Sequence, residues 1–265
     1  MARVIVVALI SFLTTSVFAQ PITCRTGSDD CERVLLPIFT PPTKGAFGSE
    51  FRTTLSLWNR GTASLRIEGL AQPCQILCPP LPPIIDIPPR GAGDSSSSYS
   101  YTGEPGALLY MRHADATNLA ALLRVQDVSR AALTWGTEIP IVRDRDFFTD
   151  LLPLLNVPSD ERFRLTLRVY GATSEPSAVR VRIVDTFSTG TTLSDFVLNL
   201  LPGHDIYHPA YAALSSFPTA PRVPNSPTTP TMRVEIEPVT PGQRFWAFLS
   251  VTNNETQHIT IVTPH

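Results

Sequence analysis

The sequence predicts an all-β fold made of two tandem antiparallel β-sandwich domains related by internal duplication, with one larger β-sandwich as the alternative. Three observations carry this expectation. Segments of alternating apolar and polar residues, bounded by Gly, Pro, Asn and Asp, recur along the chain, and no long stretch has a helical period. Proline supplies 26 of the 265 residues, about twice average usage. Each proline removes a helix donor and crowds the preceding turn, which disfavours long helices. Finally, one strand pattern occurs twice: Phe51-Arg-Thr-Thr-Leu-Ser-Leu-Trp58 and, 112 positions later, Phe163-Arg-Leu-Thr-Leu-Arg-Val-Tyr170. Phe51, Leu55 and Leu57 share the inward phase in the first copy, and Phe163, Leu165, Leu167 and Val169 in the second.

Taken in order, the chain opens with a segment that reads as a leader. Arg3 is followed by an apolar run over 4–13 and by Val17-Phe18-Ala19, small or apolar at the positions a signal peptidase reads. Residues 1–19 are therefore expected to be a secretory signal peptide cleaved after Ala19. The run is too short to span a bilayer, and no later stretch approaches the roughly 20 apolar residues a span needs. Residues 20–134 read as the first sandwich and 135–265 as the second. Leu36-Pro37-Ile38 precedes the first repeat strand and Ile139-Pro140-Ile141 the second. A strand over 63–70 follows one, and a strand over 178–185 the other. Pro105-Gly106 leads into a strand with Leu109, Tyr110 and Met111, a turn at Asp115-Ala-Thr-Asn118 and a strand over 119–125. Pro241-Gly242 leads in the same way into a strand over 245–251, a turn over 253–256 and a strand over 258–262. Tyr99-Ser-Tyr101 reads as a polar edge strand matching the strand over 232–237. Trp135, at the junction, reads as interdomain packing. A period of this length is that of a whole sandwich, too long for a solenoid or propeller blade.

Two segments interrupt the alternation. The Cys- and Pro-rich stretch 72–90 and the Pro-rich stretch 202–230 read as surface loops, because proline cannot join a central ladder. The four cysteines, Cys24, Cys31, Cys74 and Cys78, are even in number and suit an oxidising compartment. They allow three pairings, of which Cys24–Cys31 with Cys74–Cys78 closes the shortest loops. A four-cysteine zinc site is the rival, with spacings of six and three intervening residues and no histidine close by.

The run Trp135-Gly-Thr-Glu-Ile-Pro-Ile-Val142, the strand Phe163 to Tyr170 and the closing Trp246-Ala-Phe-Leu-Ser-Val-Thr-Asn-Asn-Glu-Thr-Gln-His258 resemble a group of secreted bacterial proteins. These carry duplicated immunoglobulin-like β-sandwich modules and have no assigned function. The resemblance covers roughly residues 33–264. It implies an immunoglobulin-like form for both sandwiches and brings no catalytic residue with it.

Charge and motif content narrow the function classes. The balance of 21 basic and 23 acidic residues makes no electrostatic case for nucleic acid or an anionic membrane. Nucleophile elbows, phosphate-cradling glycine loops and His-Glu-x-x-His zinc motifs are not found in the sequence, so no catalytic residue and no cofactor are expected. His204-Asp205-Ile-Tyr-His208 gathers two imidazoles and a carboxylate, the ligand set of a transition metal. Gly203 and Pro209 argue for a solvated loop instead. Arg162, Arg164 and Arg168 share an outward phase, as do Arg180 and Arg182. Glu235 and Glu237 are their natural partners in a surface lattice; the alternative is a site for an anionic polymer. Trp58, Tyr99, Tyr101 and Tyr207 are the exposed aromatics a sugar platform would need. The expectation is a secreted, non-catalytic binding or structural protein, whose partner is another envelope or extracellular protein or a glycan. A carbohydrate-binding module and a metal-dependent enzyme centred on 204–208 are the alternatives.

Overall fold

Period-two alternation becomes antiparallel sheet throughout the computed structural model, which describes Cys24 and residues 30–39, 42–69, 84–94, 105–130, 135–186, 191–218 and 230–264. The first half contributes β1 (Cys31–Pro37), β2 (Thr43–Lys44), β3 (Glu50–Asn59), β4 (Leu65–Glu68), β5 (Ile84–Ile87), β6 (Ala92–Asp94), β7 (Gly106–Arg112), β8 (Leu119–Asp127), β9 (Thr137–Ile139) and β10 (Val142–Arg143). A short helix, α1 (His113–Asn118), joins β7 to β8. The second half contributes β11 (Leu152–Pro158), β12 (Phe163–Gly171), β13 (Ser177–Asp185), β14 (Thr192–Leu200), β15 (Tyr211–Leu214), β16 (Thr231–Pro238), β17 (Phe245–Asn253) and β18 (Ile259–Val262). Among the described residues no helix is long and apolar enough to cross a membrane. The expected leader 1–19, Cys74, Cys78, Tyr99 and Tyr101 lie outside the described residues.

The strands form two sandwiches with one wiring. In the first, the sheet β10-β1-β7-β4-β5 faces the sheet β2-β3-β8-β9, with β6 also on β3. In the second, β11-β16-β13-β14 faces β15-β12-β17-β18. The order β1-β7-β4-β5 is that of β11-β16-β13-β14, and β6-β3-β8-β9 is that of β15-β12-β17-β18. Register repeats too: Phe51 stands opposite Asp127 and Phe163 opposite Asn253, while Trp58 meets Ala120 and Tyr170 meets Trp246.

This wiring corrects several sequence readings. The strand with Leu109 (β7) takes the place of β16, not of the strand over 245–251. The counterpart of that strand, β17, in the first sandwich is β8, and β9 rather than β8 is the match of β18. Strand–turn–strand patterns look alike at every hairpin, so alternation alone does not index them. The junction also moves. Ile139-Pro140-Ile141 is not the second copy of Leu36-Pro37-Ile38: β9 pairs with β8 and β10 with β1, so the chain reaches Arg143 before leaving the first sandwich. Neither proline-rich stretch is loop throughout. Ile84–Ile87 pairs with β4 at a sheet edge, with Ile85 and Ile87 buried, and Tyr211–Leu214 is an edge strand on β12. In both, the prolines flank the ladder rather than enter it.

Each sandwich has its own core. Leu36, Leu57, Ile67, Leu109 and Leu123 are buried in the first, and Leu154, Leu167, Val181, Val234 and Leu249 in the second. A third cluster joins them. Leu35 and Leu108, on the opposite phase of β1 and β7, pack against Tyr170, Trp246 and Phe248, on the opposite phase of β12 and β17. Two sheets therefore carry apolar residues on part of both faces, and the sheets stack as layers along this cluster. Tyr170 is the centre of this seam: its hydroxyl donates to the Pro105 carbonyl at 3.1 Å and accepts from Ile38 N–H at 3.2 Å. Further bonds cross from Leu108 N–H to the Tyr207 carbonyl, 2.7 Å, and from Arg33 to the Ala172 carbonyl, 2.7 Å. Trp135 takes no part. It precedes β9 on the outer layer, is 78% exposed and lies under the Arg124 guanidinium, 5.4 Å from its ring centre, so the expected interdomain packing is not its role.

Candidate functional site

Cys24 and Cys31 are joined in a disulfide, the local pairing expected for these two. The 204–208 segment is a tight turn rather than an open loop. Asp205 accepts from Tyr207 N–H at 2.8 Å and lies 2.6 Å from His208 Nδ1. His208 is buried, whereas His204 is exposed, with ring centres 6.2 Å apart. A Cβ on Gly203 would stand 1.9 Å from the His208 carbonyl oxygen, so only glycine closes this turn. Among the described residues no group of three His, Cys, Asp or Glu side chains converges to hold a metal. The turn instead docks on the first sandwich: the Tyr110 hydroxyl donates to the Ile206 carbonyl at 2.8 Å, and burial pushes that hydroxyl's pKa up to about 12. Of the aromatics expected for a sugar platform, the two among the described residues lie apart. Trp58 is exposed on the outer layer and Tyr207 is buried at the seam.

The arginines divide into two sets on opposite sides of the second sandwich. Arg180 and Arg182, on β13, face solvent and meet acids: Arg180 binds Asp195 at 2.6 Å and lies 3.9 Å from Glu237, and Arg182 lies 3.4 Å from Glu235. Arg162 stands in the turn before β12 and holds Asp160 through two bonds. Arg164 and Arg168 lie on β12 with Thr166 between them, on the same phase as Tyr170. They therefore point toward the first sandwich, not to bulk solvent.

What they face is a cleft of about 700 Å³ at the side of the seam, within the range of ~300–1,000 Å³ typical of small-molecule sites. Ile38, Phe51 and Ile139 line it from the first sandwich, and Arg164, Thr166 and Arg168 from the second. Arg164 donates to Gln257 Oε1 at 2.7 Å, and its guanidinium lies 5.4 Å from the Phe47 ring centre. Arg168 donates to Ser250 Oγ at 2.8 Å and lies 5.8 Å from the Phe248 ring centre. Neither has a carboxylate partner among the described residues. Burial raises the pKa of Tyr211, which also lines the cleft; the charge and hydrogen bond of Arg168 pull it partly back. Phe47 belongs to a turn at Ala46–Gly48, is 69% exposed and has φ 54°, a conformation rare for an aromatic residue. Sequence reading placed Arg164 and Arg168 on one face. It did not find Phe47 or Gln257, which come from distant loops and carry no local signal.

Fold and site together define a class: a two-sandwich protein with a ligand-sized cleft where its halves meet. Comparison of the chain with protein-family models, curated proteins and solved structures finds no match.

Proposed function

We propose that the chain is a secreted, non-catalytic binding protein of the bacterial envelope or exterior, and that it holds its ligand in the cleft between the sandwiches. The carrying observation is that both halves line one mostly apolar cleft that also holds two cationic side chains. A duplicated module gains such a site by pairing its copies, because neither half encloses it alone. The Cys24–Cys31 disulfide and the leader-like pattern in residues 1–19 support an oxidising, exported setting.

The test uses a neutral, apolar fluorescent probe, Nile red. Thr166 lies on the cleft floor, so Thr166→Trp fills the cavity. The expected result is one saturable probe site per chain, absent from Thr166→Trp when circular dichroism and thermal midpoint are unchanged. Equal binding by the filled variant would place the probe elsewhere and overturn the reading. Amino-terminal sequencing of protein exported from a bacterial host is expected to begin at Gln20.

A further inference from the structure

We infer that the ligand of this cleft is an organic monoanion, one carboxylate on an extended apolar body, with Arg164 as the group that holds the carboxylate. The inference rests on the binding function proposed above and adds the ligand's chemistry.

Arg164 is a cation with unused capacity. One of its amino groups is bound to Gln257 Oε1. The other, Nη1, is buried and has no hydrogen-bond partner. A guanidinium N–H removed from water and left unpaired is unfavourable; a carboxylate that reached Nη1 as Phe47, which lies over the guanidinium, moved aside would relieve it through a charge-assisted bond. Arg168, two pleat repeats further along the same floor, adds to the positive potential without an acid opposite it among the described residues.

The walls select the rest of the ligand. Phe163, Phe217 and Ile259 line the cavity beside the arginines and offer contact to hydrocarbon. Asp160 and Glu161 lie on the same rim. Asp160 is already bound by Arg162, but both carboxylates repel an anion, and because that penalty grows with the anion's charge a monoanion is favoured over a phosphate dianion. The floor strands β12 and β17 are paired on both sides, so the floor offers side chains rather than a free backbone edge. Phe47, from the first sandwich, lies over the Arg164 guanidinium at the charged end.

The experiment is displacement of Nile red by dodecanoate, dodecanol and dodecyl phosphate, which share one chain length. On the native protein, dodecanoate is expected to displace the probe at concentrations about tenfold lower than dodecanol, a difference of roughly 1.4 kcal/mol. Arg164→Gln is expected to remove that preference while leaving dodecanol unchanged, and Arg180→Gln, on the far sheet, to leave it intact. Equal displacement by dodecanol, or stronger displacement by dodecyl phosphate, overturns the carboxylate inference and leaves the cleft standing as a binding site. These comparisons on the native protein hold even where Arg164→Gln fails to fold. Probe binding that ignores Thr166→Trp instead removes the underlying function.

Discussion

Asp127 and Asn253 end β8 and β17 at the same register, and each uses Oδ1 to hold the turn that follows. Asp127 accepts from Ser129 N–H at 3.1 Å and from Glu50 N–H at 3.1 Å; Asn253 accepts from Glu255 N–H at 2.8 Å and from Thr256 N–H at 3.0 Å. Burial pushes the Asp127 carboxyl up, but hydrogen bonds from Ser129 and Glu50 outweigh it and hold the group below the usual carboxylate range. Its unfolded pKa is about 3.9. A depressed folded value contributes stability above that pH, lost as the pH falls through the folded value. Asp127→Asn keeps an acceptor and removes the titration. The urea midpoints of native protein and variant are therefore expected to converge between pH 7 and about pH 3; a constant gap would contradict this. Tyr170 makes a different residue-scale case. Burial drives its hydroxyl far above the ordinary tyrosine range, so it stays a neutral donor. In Tyr170→Phe, Ile38 N–H keeps its bond to the Pro105 carbonyl. The expected loss is that of one ordinary hydrogen bond, about 0.5–1.5 kcal/mol by chemical denaturation. A loss above about 3 kcal/mol would mean that the ring itself had shifted.

At the scale of the element, two neighbouring strands carry arginine on their outward phase and do opposite things with it. On β13, Arg180 stands opposite Glu237, Arg182 opposite Glu235, and Asp195 follows on β14. Acids interleave with bases, the field cancels, and Arg180 holds the exposed Asp195 carboxyl below its ordinary range. Exposed pairs of this kind contribute little and are screened by salt. Arg180→Ala is therefore expected to leave the denaturant midpoint nearly unchanged. The native protein is expected to pass through a heparin column at ~0.15 M salt, where the Debye length is about 8 Å. Retention abolished by Arg180→Glu would show an uncompensated site. On β12 the neighbours of Arg164 and Arg168 are Thr166, Ser250 and Thr252, so no acid cancels them from within the sheet. The phase of both arginine sets was legible in the sequence. Which set would be covered by another sandwich was not.

For the whole molecule, the seam makes two domains behave as one. Tyr170, Trp246 and Phe248 would be exposed if the sandwiches parted, a patch of aromatic surface that water disfavours. A single unfolding transition in calorimetry is expected, with van't Hoff and calorimetric enthalpies in agreement; two separated transitions would mean that the seam does not couple the halves. By itself the sequence determined what alternation and composition encode: an all-β chain, the repeated strand Phe51 to Trp58 and its inward phase. These depend on neighbours along the chain, and side-chain phase in a strand is a local property. Tertiary structure alone decided which strands correspond across the repeat, where β9 and β10 belong, and that Tyr170 is buried while its counterpart Trp58 is exposed. It also decided that Arg164 faces Phe47 across a cleft while Arg180 faces water. The physical reason is the same in each case. An outward face is polar or apolar by sequence, but whether it meets solvent or another sheet depends on how residues more than a hundred positions apart pack together.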